Sequence, residues 1–195
     1  MTEISRIRSF IAIDLAAPVG TAIGVLQHEL AGTQADVRWV RADGMHVTLK
    51  FLGAVEAPHL ERVHTALANA LQTQPALHVR AHGVGAFPSL RRPRVLWVGL
   101  QAQGLGELAA CVDSAVAPLG FAAERRAFTP HITLGRVNSM RGWKAVAAHL
   151  EAHVDDDFGT CTVDAVTIFR STLRPTCAVY TPLWTIPLQT GRPSR

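Results

Sequence analysis

His46-Val47-Thr48-Leu49 and His131-Ile132-Thr133-Leu134 are near-copies of one short pattern, one in each half of a 195-residue chain. Each is an alternating, β-branched run and reads as a strand. Residues i and i+2 of a strand share a face. His46 and Thr48 therefore point one way and Val47 and Leu49 the other, and His131 and Thr133 stand in the same relation to Ile132 and Leu134. Two imidazoles facing each other across a bound group can act as general acid and general base in one turnover, because an unperturbed pKa of about 6.5 lets one be charged while the other is neutral. The threonine hydroxyls can donate to phosphoryl oxygens as charge builds there. In-line displacement at phosphorus needs an activated nucleophile on one side and a protonated leaving oxygen on the other, and this set supplies both without a metal. The competing interpretation is two ordinary half-buried strands with solvated polar faces. A lone His-x-Thr in a chain with 9 histidines would leave that interpretation standing; the four-residue pattern occurring twice argues against it.

The elements that must position these residues follow from periodicity. Residues 9–15 (SFIAIDL) alternate as a strand, and residues 18–31 carry Val19, Ile23, Leu26 and Leu30 as a helical stripe with a proline at its start. Residues 37–41 and 46–53 read as two strands joined by the turn Ala42-Asp43-Gly44. A helix over 58–72 aligns Leu60, Val63, Leu67 and Leu71, and a strand over 77–87 follows. The second half repeats this grammar: a strand over 94–101, a helix over 104–118, the histidine strand within 128–137, a short helix over 143–152, and strands over 162–170 and 178–187. The recurrence points to an internal duplication. We expect an α+β, bilobal, pseudo-symmetric fold: two small, mostly antiparallel sheets facing a central groove, with helices outside. Residues 1–195 form one bilobal domain, with lobe-like halves of approximately 1–90 and 91–195, residues 88–93 (PSLRRP) as connector and 190–195 as a frayed tail.

Composition bounds the function classes. The chain is 48% apolar and 17% charged, with 19 Lys+Arg against 15 Asp+Glu, so it is a folded protein with a modest bias towards anionic ligands. Three cysteines without metal-ligand spacing argue for a reducing compartment and against a disulfide framework. With no signal-type apolar segment and no membrane-length apolar run, a cytoplasmic protein, monomeric and without an obligate protein partner, is expected. His149 and His153 are spaced i, i+4, but the HExxH pattern that would make them zinc ligands is absent. No metal and no cofactor are expected.

Taken with residues 8–14 (RSFIAID), 46–53 (HVTLKFLG), 87–97 (FPSLRRPRVLW), 130–136 (PHITLGR) and 169–173 (FRSTL), the paired motifs make the chain resemble the two-histidine (2H) phosphoesterases. The resemblance is specifically to the RNA 2′,3′-cyclic phosphodiesterase branch, also called 2′-5′ RNA ligases. It implies hydrolysis of a terminal RNA 2′,3′-cyclic phosphate to a 2′-phosphomonoester, with reversible 2′-5′ ligation as the counter-reaction. It also implies that His46 is the proton donor to the leaving O3′, that His131 is the proton acceptor from water, and that Thr48 and Thr133 bind phosphate. From the residues alone, the two histidines are interchangeable in these roles. The resemblance further implies that Phe51 and Arg136, each five residues after its histidine, hold the terminal base, and stacking on a ring and a guanidinium suits an RNA end. Strict alternation puts both on the face opposite the histidines, so either a bulge intervenes or Phe51 is core. Lys50 shares the histidine face by alternation. Arg91, Arg92 and Arg94 form a basic cluster that is either an RNA contact or a solvated loop. The alternatives are a 2H phosphodiesterase acting on small cyclic or 2′-5′-linked nucleotides, and a noncatalytic nucleotide- or RNA-binding module.

Overall fold

The computed structural model describes residues 6–174 and 178–190. The order is β1 (Arg6–Asp14), α1 (Ala17–Gly32), β2 (Val37–Trp39), a 3-10 turn (Ala42–Gly44), β3 (His46–Glu56), α2 (Ala57–Leu71), β4 (Leu77–Phe87), β5 (Val95–Gln101), α3 (Leu105–Val116), a second 3-10 turn (Ala117–Leu119), β6 (His131–Val137), α4 (Trp143–Ala152), β7 (Asp157–Val163), β8 (Ala165–Leu173) and β9 (Ala178–Pro187). The helices bury the stripes read from sequence: Val19, Ile23, Leu26 and Leu30 on α1, Leu60, Val63, Leu67 and Leu71 on α2, Leu105, Leu108, Val112 and Val116 on α3, and Trp143, Val146 and Leu150 on α4. They pack on one side of the strands, and a single large core fills the space between. No helix among the described residues is long and apolar enough to cross a membrane.

The strands run in the order β7-β4-β5-β6-β3-β1-β8-β9, with β2 on the flank of β6. All the paired strands are antiparallel. The order is a pseudo-twofold about the seam between β6 and β3, where one residue pair, Val47 opposite Ile132, joins the two small sheets. The two histidine strands are therefore neighbours at the centre of the molecule.

Three expectations need correction. Val37–Trp39 does not form a hairpin with β3: it pairs with β6, because the chain between them turns through the 3-10 segment and bonds Val40 N–H to Leu134 O instead. Residues 162–170 are not one strand; β7 ends at Val163 and β8 starts at Ala165. The spatial lobes are also not the sequence halves. β4 pairs with β5 and β7 of the second half, and β8 and β9 attach to β1 of the first. Residues 88–93 are consequently the loop of a β4–β5 hairpin, closed by Arg94 N–H donating to Phe87 O at 2.7 Å, and not a linker between lobes.

Candidate active site

His46 and His131 occupy the first positions of β3 and β6, and each is held by the same device. The Nδ1 of His46 lies 2.8 Å from Gly44 O, and that of His131 lies 2.7 Å from Thr129 O, in both cases the carbonyl two residues back. A carbonyl only accepts, so each Nδ1 carries the hydrogen and donates it. Each Nε2, on the other side of the ring from that bond, is left to take up or give a proton. Thr48 and Thr133 follow on the same face and are half-buried, while Val47, Leu49, Ile132 and Leu134 are buried in the core.

The two imidazoles differ in their surroundings. Phe10 stacks on His46 with ring centroids 4.7 Å apart, Tyr180 meets it edge-on at 5.0 Å, and Phe169 lies at 6.1 Å. Phe10, Ala12, Phe169 and Tyr180 form an apolar cluster separate from the main core, on the groove side of the sheet. Burial in this enclosure disfavours the imidazolium and pushes the His46 pKa from 6.5 down to about 4; the bond to Gly44 O opposes the shift, and the positive charge that His131 can carry adds to it. That mutual repulsion places the two rings within electrostatic reach of each other. Among the described residues His131 has a single aromatic neighbour, Phe87, edge-on at 4.9 Å.

Beyond each threonine the strand bulges. Opposite β1, Ala12 faces Thr48 and Ile11 faces Lys50, leaving Leu49 as the extra residue. Opposite β5, Trp97 faces Thr133 and Leu96 faces Gly135, leaving Leu134 as the extra residue. Leu49 and Lys50 are therefore both buried on the core side, as are Leu134 and Gly135, and alternation resumes with the opposite phase. Phe51 and Arg136 thus return to the histidine face. Phe51 is 66% exposed, with its ring centroid 6.2 Å from that of Phe10, so the core reading of Phe51 is overturned. The same bulge removes Lys50 from the groove. It is 8% exposed and donates from Nζ to Asp113 on α3 and to Ala122 O, in the loop that leads to His131.

A polar side chain braces each bulge from a helix. Gln27 on α1 donates from Nε2 to Leu134 O at 2.8 Å and to Val40 O at 2.7 Å. Asp113 holds Lys50 and also accepts Glu124 N–H at 3.2 Å. The sequence reading missed both residues, although each directly follows a buried stripe residue, Leu26 or Val112, in the corresponding helix of its half. It also missed the aromatic enclosure. The usable signal was the unbroken apolar run Phe10–Ile13 in β1, which requires cover on both faces. Trp97 lies against Gly85 on β4, where a Cβ would come within 2.4 Å of the indole, and among the described residues its buried Nε1 has no hydrogen-bond partner.

Other sequence candidates stand apart. Arg91, Arg92 and Arg94 are exposed in the β4–β5 loop region. The rings of His149 and His153 are parallel at 6.3 Å, and His153 bonds to Asp156. No cluster of three or more metal-ligating side chains forms among the described residues.

Comparison with known proteins agrees with this geometry. A model of the family described as LigT-like phosphoesterase matches twice, over residues 13–97 and 98–179. A protein of Methanothermobacter thermautotrophicus named RNA 2′,3′-cyclic phosphodiesterase is 29% identical over 91% of this chain and 97% of its own length. One of the same name from Archaeoglobus fulgidus is 32% identical over 90% of this chain and 97% of its own. The crystal structure of Escherichia coli LigT complexed with 3′-AMP superimposes with a TM-score of 0.74 at 28% identity, covering 95% of this chain and 99% of that one.

Proposed function

Since the chain belongs to the LigT-like phosphoesterase family, we propose that it hydrolyses the terminal 2′,3′-cyclic phosphate of RNA to a 2′-phosphomonoester, with His46 and His131 as the acid–base pair. The observation that carries this reading is the matched pair of imidazoles, each fixed through Nδ1 to the backbone carbonyl two residues back, which leaves Nε2 for proton transfer. The name shared by the relatives supports the choice of substrate.

The chemistry then runs as follows. Water attacks phosphorus and gives its proton to Nε2 of His131. The P–O3′ bond breaks on the opposite side, and O3′ takes a proton from Nε2 of His46. Thr48 and Thr133 donate to the non-bridging oxygens as their charge grows. His46 is neutral in the empty site at pH 7. The arriving diester brings a negative charge beside it and raises its pKa, so the acid is charged by binding the substrate that it will protonate. After turnover His131 holds the water's proton, and exchange with solvent resets the pair. Phe51 and Arg136, restored to the groove face by the bulges, receive the terminal base between a ring and a guanidinium plane.

Incubation in EDTA with a short RNA ending in a 2′,3′-cyclic phosphate, followed by mapping of the product end, tests the proposal. A 2′-phosphate supports it. A 3′-phosphate refutes the assignment of O3′ as leaving group, and activity lost in EDTA but restored by zinc refutes the metal-free reaction. An unchanged end moves the substrate to small cyclic or 2′-5′-linked nucleotides.

A further inference from the structure

β2 is three residues long and lies off the main strand path, paired with β6. Its register sets Val37 opposite Val137, Arg38 opposite Arg136 and Trp39 opposite Gly135. Val37 and Trp39 pack against the core, where they also meet the position a Cβ of Gly135 would take. Arg38 therefore projects to the other face, the histidine face, directly across from Arg136, and both are exposed. Among the described residues neither has a carboxylate partner. The nearest acid in sequence, Asp36, is taken up by Asn138 and Ser139, with Arg141 favouring its charged form.

Like charges directly opposite on paired strands repel. Two unpaired guanidinium groups side by side on a substrate-binding face are what an anion between them would stabilise, and each can bind a phosphate through two N–H groups. The pair lies five residues along β6 from His131, roughly 15 Å at strand spacing, which is beyond the reach of the reacting phosphorus. We infer that Arg38, with Arg136, binds an internucleotide phosphate upstream of the cyclic end. The pair thereby makes the site select an oligoribonucleotide over a cyclic mononucleotide. Arg136 can present its plane to the terminal base and its N–H edge to that phosphate, while Arg38 has the phosphate as its only role. This inference rests on the phosphodiesterase reading above.

The test compares kcat/KM for a 5′-labelled pentaribonucleotide ending in a 2′,3′-cyclic phosphate with that for 2′,3′-cyclic AMP, in the native protein, Arg38→Ala and Arg38→Lys, across a salt series. Arg38→Ala should lower the oligonucleotide-to-mononucleotide ratio about tenfold through KM, and reduce the salt slope on the oligonucleotide by about one. Arg38→Lys should recover part of the ratio and the slope. An unchanged ratio in Arg38→Ala overturns the inference. Fluorescence polarisation of the labelled RNA provides an arm independent of turnover. If the native protein hydrolyses neither substrate, the phosphodiesterase reading fails. Arg38 is then judged by RNA affinity and its salt slope, and equal values in native and Arg38→Ala protein overturn the RNA contact as well.

Discussion

Replacing Tyr180 by alanine removes one wall of the His46 enclosure and lets water reach the ring. The fall from 6.5 to about 4 in the His46 pKa corresponds to roughly 3 kcal/mol of preference for the neutral imidazole. Three aromatic rings share in that desolvation, and Tyr180 meets His46 edge-on at 5.0 Å. Losing it should raise the pKa by about one, equivalent to about 1.4 kcal/mol. NMR titration of the histidine Cε1–H resonances, with His46 assigned by its disappearance in His46→Ala, reads this directly. Stability provides a second readout. Between pH 6.5 and pH 4 the unfolded chain binds a proton at His46 that the native protein refuses. The His46 contribution to stability is therefore complete above pH 6.5 and is lost as pH falls towards 4, at up to about 1.4 kcal/mol per pH unit. Urea unfolding across that window should show a shallower pH dependence in Tyr180→Ala than in the native protein. A native His46 that titrates near 6.5, or a Tyr180→Ala protein whose His46 still titrates near 4, would refute the desolvation argument.

Further expectations follow from the same geometry. His46→Ala and His131→Ala should each lower kcat by about 10²–10⁴, measured on the cyclic-phosphate RNA, and the pH dependence of kcat/KM should be bell-shaped with its acid limb near 4. Gln27→Leu strips the bonds from Leu134 O and Val40 O, which brace the bulge just before Arg136; it should raise KM for the cyclic-phosphate RNA more than it lowers kcat. Lys50→Met leaves the Asp113 carboxylate facing the core without its cation and should cost about 3 kcal/mol in urea unfolding, with Lys50→Met/Asp113→Leu recovering much of it. Gly85→Ala drives a methyl into the Trp97 indole and should cost about 1–3 kcal/mol, with a shift in tryptophan fluorescence as the ring moves.

Periodicity made the helices and most strands legible, because an amphipathic stripe depends only on local spacing. The shared face of His46 and Thr48, and of His131 and Thr133, was equally legible, since a His-x-Thr on a strand needs only the rule of two to set its faces. Phe51 and Lys50 show where that rule stops. A bulge inserts a residue without changing composition, so the residues after it change face until the next irregularity, here at Leu52; Lys50 went to the core and Phe51 to the groove. The trace it left was a repetition, with two adjacent buried positions at the same offset from each histidine. The pairing of β2 and the exchange of β4 and β8 were not legible, because antiparallel partners distant in sequence are chosen by how the sheets close and not by any local pattern.

That exchange also sets a timetable for the nascent chain. Emergence from the ribosome delivers β1 and β3 first, yet β1 stays an open edge until β8 follows, with Phe10 waiting for Phe169 across the register. The other sheet needs only β4 to β7, so the cradle of His131 can close while the opposite one is still unfinished. Contacts between such distant segments form slowly. His46 therefore keeps part of its ordinary basicity until the last strands bring Phe169 and Tyr180 against it.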